Sequence, residues 1–332
     1  MQLFFKSIKS LFFLITLGLL IFSCENESIQ GEQQQEDPTD PFEPPPVQLI
    51  LNELKTTELN DFQREFINYF DPTGRHTSSD ANFTQQNTIF TSIEEIAYNS
   101  NGLRTSYNKN NNGFETNAVN FAYQDNVLTQ VTDVVSGPGN TYTLDYSNNQ
   151  IIVNVSGNFE GRFVYVFADN TFQQLISSES TIPYVNASSN PNYRFEYQYD
   201  SELNISQITR LEYNDTTEML EVDYTEVYTY DDKFNPLRVL FETNPLIVLD
   251  PDVVRPLVYG ISSHSRFYNN RNILTITRNY SNSTEQRLTT FTYTYNEFDF
   301  PTSSSEINTT IDTSTNEETE GLMRDREYTY YD

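Results

Sequence analysis

Along most of the chain apolar and polar residues alternate, and each alternating run ends on an aromatic residue followed by Asp or Asn. Tyr197 and Tyr199, or Tyr293 and Tyr295, stand at i and i+2 and so share one face of a strand. The Asp or Asn that follows starts a turn, because its short side chain bonds nearby backbone and tolerates positive φ. A second alternating run then begins, so each unit predicts a β-hairpin. The units are Tyr69-Phe70-Asp71, Tyr98-Asn99, Tyr123-Gln124-Asp125, Tyr146-Ser147-Asn148, Phe167-Ala168-Asp169, Tyr199-Asp200, Tyr230-Asp231, Tyr268-Asn269, Tyr295-Asn296 and Tyr330-Tyr331-Asp332. They recur roughly every 21 to 38 residues, about 29 on average, which is the period of a repeat architecture. The expected fold is all-β: a long antiparallel meander of roughly fifteen to twenty strands, forming an open twisted sheet, a curled half-barrel or a sandwich. Its edge strands would need protection by acidic residues, loops or an insert.

Three stretches need separate treatment. Leu51, Leu54, Glu58, Phe62, Phe66 and Tyr69 follow helical spacing, while Phe62, Phe66 and Phe70 also share one face of a strand. Two strands are preferred over residues 49–70, because the stretch runs into its aromatic-Asp turn as the other units do. Ser178 to Asn192 carries Pro183 and Pro191 and reads as a loop. Residues 244–259 hold Pro245, Pro251 and Pro256 among many aliphatic side chains, and those prolines bar a central strand. This insert is expected to pack as a plug or flap on the sheet or over one end. The functional alternative is an apolar lip of a binding site or a partner patch, with Leu246, Val248, Val254, Leu257 and Tyr259 as its binding residues.

Residues 1–23 read as a signal peptide. Lys6 and Lys9 precede an apolar run from Leu11 to Phe22, about a dozen residues and too short to span a bilayer comfortably. Ile21-Phe22-Ser23-Cys24 resembles a bacterial lipobox, in which cleavage falls before a cysteine that becomes lipidated. Cys24 is the only cysteine, so no disulfide competes for its thiol. Lipid on Cys24 would make a membrane the first partner of the chain. Residues 24–46 are rich in Glu, Gln, Asp and Pro and lack the apolar content to fold, so they read as a tether. The β-repeat domain is expected over residues 47–332.

The formal net charge of −28 excludes nucleic acid as a partner, since phosphates require clustered Lys and Arg. His76 and His264 are the only histidines and neither has metal-ligand spacing. Ser262-Ser263-His264-Ser265 lacks a nucleophile elbow. No catalytic residue, metal or cofactor is expected, and the chain is read as not being an enzyme.

The Tyr-Asp units resemble YD repeats. With Cys24 and the acidic tail, the chain resembles poorly characterised surface lipoproteins of Bacteroidetes-type bacteria. That resemblance implies a lipid-anchored protein of the cell envelope, at the outer membrane and exposed at the surface. It carries fold more than activity. The leading expectation is a non-catalytic surface binding or scaffold module with a glycan or protein partner. The alternatives are an envelope carrier of an apolar ligand and a carbohydrate-active enzyme using paired carboxylates.

Overall fold

The structure, a computed structural model, describes residues 49–59, 64–85, 88–134, 139–158, 160–181, 192–243 and 269–331. The strands are β1 (Leu51–Leu59), β2 (Arg64–Phe70), β3 (His76–Gln85), β4 (Thr88–Tyr98), β5 (Arg104–Asn111), β6 (Phe114–Gln124), β7 (Val127–Asp133), β8 (Thr141–Ser147) and β9 (Gln150–Ser156). They continue as β10 (Gly161–Phe167), β11 (Leu175–Ser180), β12 (Tyr193–Tyr199), β13 (Ile205–Asn214), β14 (Met219–Phe234), β15 (Arg271–Tyr280), β16 (Glu285–Tyr295), β17 (Pro301–Asp312) and β18 (Glu317–Tyr330). A short helix, α1 (Arg238–Thr243), lies between β14 and β15.

Every strand pairs antiparallel with its neighbour in sequence, and β18 pairs back onto β1, from Leu51 opposite Tyr330 to Leu59 opposite Met323. The sheet is therefore a closed up-and-down barrel of eighteen strands. This corrects the expectation of an open sheet, half-barrel or sandwich. Closure gives the outer N–H and C=O groups of β1 and β18 their partners, which no edge-protecting side chain does as completely. Residues 49–70 form β1 and β2, not a helix. Ser178 to Ser180 belong to β11, so the loop expected over 178–192 is shorter, and its residues 182–191 lie outside the described ones.

The aromatic-Asx units build one rim of the barrel, here the turn rim. At Asp71, Oδ1 accepts from Thr73 N at 2.8 Å and Arg75 N at 3.1 Å, while Asp71 N donates to Arg75 O at 2.9 Å. Asn99, Asp200 and Asn296 repeat the pattern with Leu103, Asn204 and Phe300. The fourth residue of each turn is left-handed: Gly74 at φ 81°, Gly102 at 76°, Leu203 at 63° and Asp299 at 63°. Two units depart from the scheme. Asp231 lies inside β14, where its Oδ1 accepts from Lys233 N at 3.0 Å. Asn269 does not end a strand; it lies just ahead of β15, and its Oδ1 accepts from Ile205 N at 2.8 Å.

The same geometry explains why tyrosine is used. Beside each of these turns the ladder slips by one residue, so that Gln198 faces Gln207 but Tyr199 faces Ile205. Such a bulge leaves backbone polar groups without ladder partners. The hydroxyl of a tyrosine one hairpin further on fills the gap. Tyr98 donates to His76 O at 2.6 Å, Tyr146 to Leu128 O at 2.9 Å, Tyr199 to Leu175 O at 2.7 Å and Tyr230 to Ile205 O at 2.5 Å. Tyr293 reaches Ile273 O at 3.0 Å and Tyr330 reaches Pro301 O at 2.7 Å. In all six the acceptor sits at the bulge of the preceding hairpin. Tyr331 then ties β18 across β1 to Phe70 O at 2.5 Å.

The core lies inside the ring. Ile151, Val153, Leu175 and Ile205 are fully buried, and the contiguous cluster of buried apolar residues draws on strands all round the barrel. A ring this large would leave a water-filled lumen if unfilled. Here α1 enters the turn rim with Leu237 and Phe241 buried, and Val239 rests against Gly74. A Cβ on Gly74 would fall 2.4 Å from Val239 Cγ2, so this glycine serves both the turn and the plug. The plug expected over 244–259 lies outside the described residues.

Replacing Tyr199 by Phe keeps the ring and orphans the Leu175 carbonyl. The expected cost is about 1–2 kcal/mol. Urea unfolding of the variant checks it, and an unchanged midpoint would remove the hydroxyl from the account.

Candidate functional site

The lumen is layered from the turn rim to the far rim. Nearest the turns, aromatic rings pack with the aliphatic core. Phe167 meets Phe172 edge-on at 5.3 Å, and Tyr293 lies between Phe291 and Tyr295 at 6.5 and 6.0 Å. A cavity of about 20 Å³ lies here between plug and wall, lined by Asn235, Leu237, Ile273, Phe291, Arg326 and Tyr328, among others. It has room for a water but not for a lipid chain.

A belt of ion pairs follows, formed by inward-facing residues of the same strands. Glu306 accepts from Arg326 Nη2 at 2.6 Å and from Arg324 Nη1 at 3.2 Å, while Arg324 Nε donates to Glu58 at 2.8 Å. Glu94 accepts from the Tyr107 hydroxyl at 2.7 Å and pairs with Lys109 at 3.2 Å. Glu226 accepts from Arg278 Nε at 2.8 Å and from the Tyr228 hydroxyl at 2.5 Å. All four carboxylates are buried. A buried charge persists only when paired and hydrogen-bonded, and each of these is.

Beyond the belt, on β12 to β16, arginines alternate with tyrosine rings. Arg210 lies 5.8 Å from the rings of both Tyr193 and Tyr224. Arg278 sits 4.2 Å over Tyr224, and Arg287 sits 5.4 Å over Tyr280. These are cation–π distances. Parity places them in the lumen: Tyr224 follows Tyr228 and Glu226 inward on β14, and Arg278 and Tyr280 follow Ile276 on β15. Burial, with the Glu226 charge adding, pushes the Tyr224 phenol up to about 12, so it stays protonated. Burial opposes the charge of Arg278, yet Glu226 raises its pKa overall and keeps it cationic.

His76 is buried at the turn rim. Ser79 Oγ donates to Asn68 Oδ1 at 2.8 Å, so His76 Nε2 carries the proton and donates to Ser79 Oγ at 2.8 Å. Its Nδ1 has no partner. Burial first, and the Arg104 charge second, lower its pKa to about 3.

The outer face of the wall is polar. One circumferential row, set by cross-strand pairing, runs Thr294, Ser303, Glu327, Lys55, Ile67, Asp80, Ile93, Asn110. A membrane-crossing wall needs an apolar outer band about 25 Å tall, and each charge at the bilayer midplane costs about 2–4 kcal/mol. Apolar residues such as Ile93, Val222 and Val227 are exposed on that face, but in this row Glu327, Lys55 and Asp80 interrupt any apolar band. Among the described residues no helix is long and apolar enough to cross a membrane.

Cys24 and the binding candidates Leu246, Val248, Val254, Leu257 and Tyr259 lie outside the described residues. The belt and the arginine–tyrosine ladder were not anticipated from the sequence. Their signal is charge at core parity: Arg278 two positions after Ile276, Arg326 two before Tyr328.

The class this geometry defines is a closed antiparallel β-barrel with a filled, ion-paired interior. No family model matches the chain, and neither does any curated protein. Among solved structures it is similar to a porin-like protein from Bacteroides uniformis, at 14% identity and TM-score 0.46, covering 85% of this chain and 96% of that one. A porin-like protein from Bacteroides vulgatus aligns at 10% identity and TM-score 0.34, over 86% and 99% of the two chains. A TcdB2–TccC3 structure aligns at 12% and 0.23, over 76% of this chain and 17% of that one. At those scores the superpositions carry no argument about this chain.

Two outcomes follow from the buried charges. Glu306→Leu removes the acceptor shared by Arg324 and Arg326 and is expected to cost about 3–5 kcal/mol in urea unfolding, with a loss below about 1 kcal/mol contradicting the pairing. His76 is neutral when folded, with a pKa of about 3, and ionises at its ordinary 6.5 when unfolded. Its contribution is therefore complete above pH 6.5 and falls as pH drops toward 3, by about 1.4 kcal/mol per unit. Stability of His76→Gln should fall less steeply than wild type between pH 6 and 4; parallel slopes would refute the assignment.

Proposed function

We propose that the chain is a lipid-tethered protein of the cell envelope, whose barrel stands outside the bilayer as a non-catalytic binding or scaffold module. The observation that carries this reading is the charge on the wall, with the buried core turned inward and Glu53, Lys55, Asp80 and Glu327 turned outward among a few exposed apolar residues. Such a barrel needs no lipid around it, so its attachment has to come from elsewhere, and the lipobox-like Ile21-Phe22-Ser23-Cys24 supplies it. The acidic residues of 24–46 then act as a leash at the outer membrane, with the barrel at the cell surface.

The filled interior counts against an apolar-ligand carrier, since the fully buried core occupies the space such a ligand would take. The belt carboxylates are each engaged by a cation or a hydroxyl, which leaves no free acid–base pair there for glycoside hydrolysis.

The test is fractionation of cells expressing Cys24→Ala. The variant is expected in the soluble fraction with its barrel folded, while the wild-type protein stays with membranes and is cut by protease added to intact cells. A Cys24→Ala protein that remains in membranes and leaves them only with detergent would contradict the reading.

A further inference from the structure

From the ladder near the far rim we infer that this mouth of the barrel binds a neutral saccharide. The inference rests on the reading of the barrel as a binding module and names its ligand class. Three observations carry it.

The first is access. Strands β7 to β12 are six or seven residues long, whereas β13 to β18 run to between ten and sixteen. The longer hairpins carry inward-facing residues beyond the level of the short wall. Arg210, Arg278 and Arg287 accordingly keep 23%, 31% and 54% of their side-chain surface exposed, although all three face the lumen. A concave wall in a barrel mouth with a few convergent polar groups is a favoured place for a ligand.

The second is chemistry. The wall pairs ring faces and edges with unused donors. Tyr224 and Tyr280 meet edge-on at 5.8 Å, presenting apolar C–H and ring surface. Arg287 spends only Nε on Glu285, so both its Nη atoms are free, and Arg210 uses only Nη1. Glu285, Glu212 and Asp223 retain acceptor capacity beside them. Donors and acceptors therefore alternate along a surface that also offers aromatic contact. Sugar hydroxyls both donate and accept, and the C–H faces of the ring pack on phenols. No tryptophan exists in the chain, so tyrosine carries the stacking.

The third is charge. Three guanidiniums meet Glu226, Asp223, Glu212 and Glu285, and Glu221, Asp312 and Glu317 continue the same face by cross-strand pairing, so the wall is net negative. An anion would face seven carboxylates, and a cation would face three arginines set among them. A neutral polyhydroxylated ligand meets neither penalty.

The test titrates the full chain with gluco-, manno-, xylo- and galacto-hexasaccharides, and with oligogalacturonate and chondroitin sulfate as charged probes, by calorimetry. At least one neutral hexasaccharide is expected to bind. Arg287→Ala and Tyr280→Ala should each weaken that binding about tenfold, the scale of one lost hydrogen bond or ring contact. Lys55→Ala, on the outer face, should leave it unchanged. Unaltered urea midpoints would show that the variants remain folded. The proposal is overturned if no neutral probe binds at millimolar concentration, if charged probes are preferred, or if binding survives both ladder substitutions. A barrel that fails to bind sugar yet leaves the membrane in the Cys24→Ala variant would sink this site alone; one that binds sugar but stays in the membrane would sink the tether reading alone.

Discussion

The hydrogen bond from a tyrosine hydroxyl to the bulge carbonyl of the preceding hairpin is the contact on which the ring depends. At six hairpins the ladder slips beside the turn, and each of these slips leaves a carbonyl that needs a donor once the core is packed. A tyrosine one hairpin later both fills the core with its ring and satisfies that carbonyl with its hydroxyl. The contact therefore joins hairpin to hairpin through side chains as well as through the ladder. It is also directional, since every hydroxyl reaches back toward the hairpin before it. Repeated round the sheet, it brings β18 to β1, where Tyr331 bridges to Phe70.

Closure then decides the polarity of the molecule. With no edge left to protect, the outer face is free to carry charge, and it does, consistent with an acidic, strongly self-repelling chain. A few apolar residues, Ile93, Val222 and Val227 among them, stay exposed outside, while the buried ones fill the lumen. Charges at core parity can be tolerated there only as pairs, which accounts for Glu306 with Arg324 and Arg326, and for Glu226 with Arg278. Where the tall hairpins outrun the short wall, the same parity turns arginine and tyrosine toward water.

Much of this was legible in local pattern. Alternation marked the strands, and aromatic-Asx pairs such as Tyr98-Asn99 and Tyr295-Asn296 marked the turns correctly, because both are set by residues within a few positions of each other. The 49–70 stretch was resolved by its entry into Asp71. Closure was not legible, because the pairing of Leu54 with Tyr328 spans nearly the whole chain and depends on accumulated twist and register. Tyr268-Asn269 was misread for a related reason: Asn269 serves residues far away in sequence, Ile205 and Asn235, rather than its own turn. The arginine ladder was hidden because charge on a strand ordinarily signals the solvent face. Only the parity of Arg278 with Ile276 betrays it.

Hydrogen exchange of the Cys24→Ala protein in detergent-free buffer tests the closed, inward-cored barrel most directly. The amides of β1 from Leu54 to Glu58 and of β18 from Arg324 to Tyr328 should be as strongly protected as those of β13 and β14. Exchange of both seam strands within seconds, while β13 and β14 stay protected, would mean that the sheet is open and the account wrong.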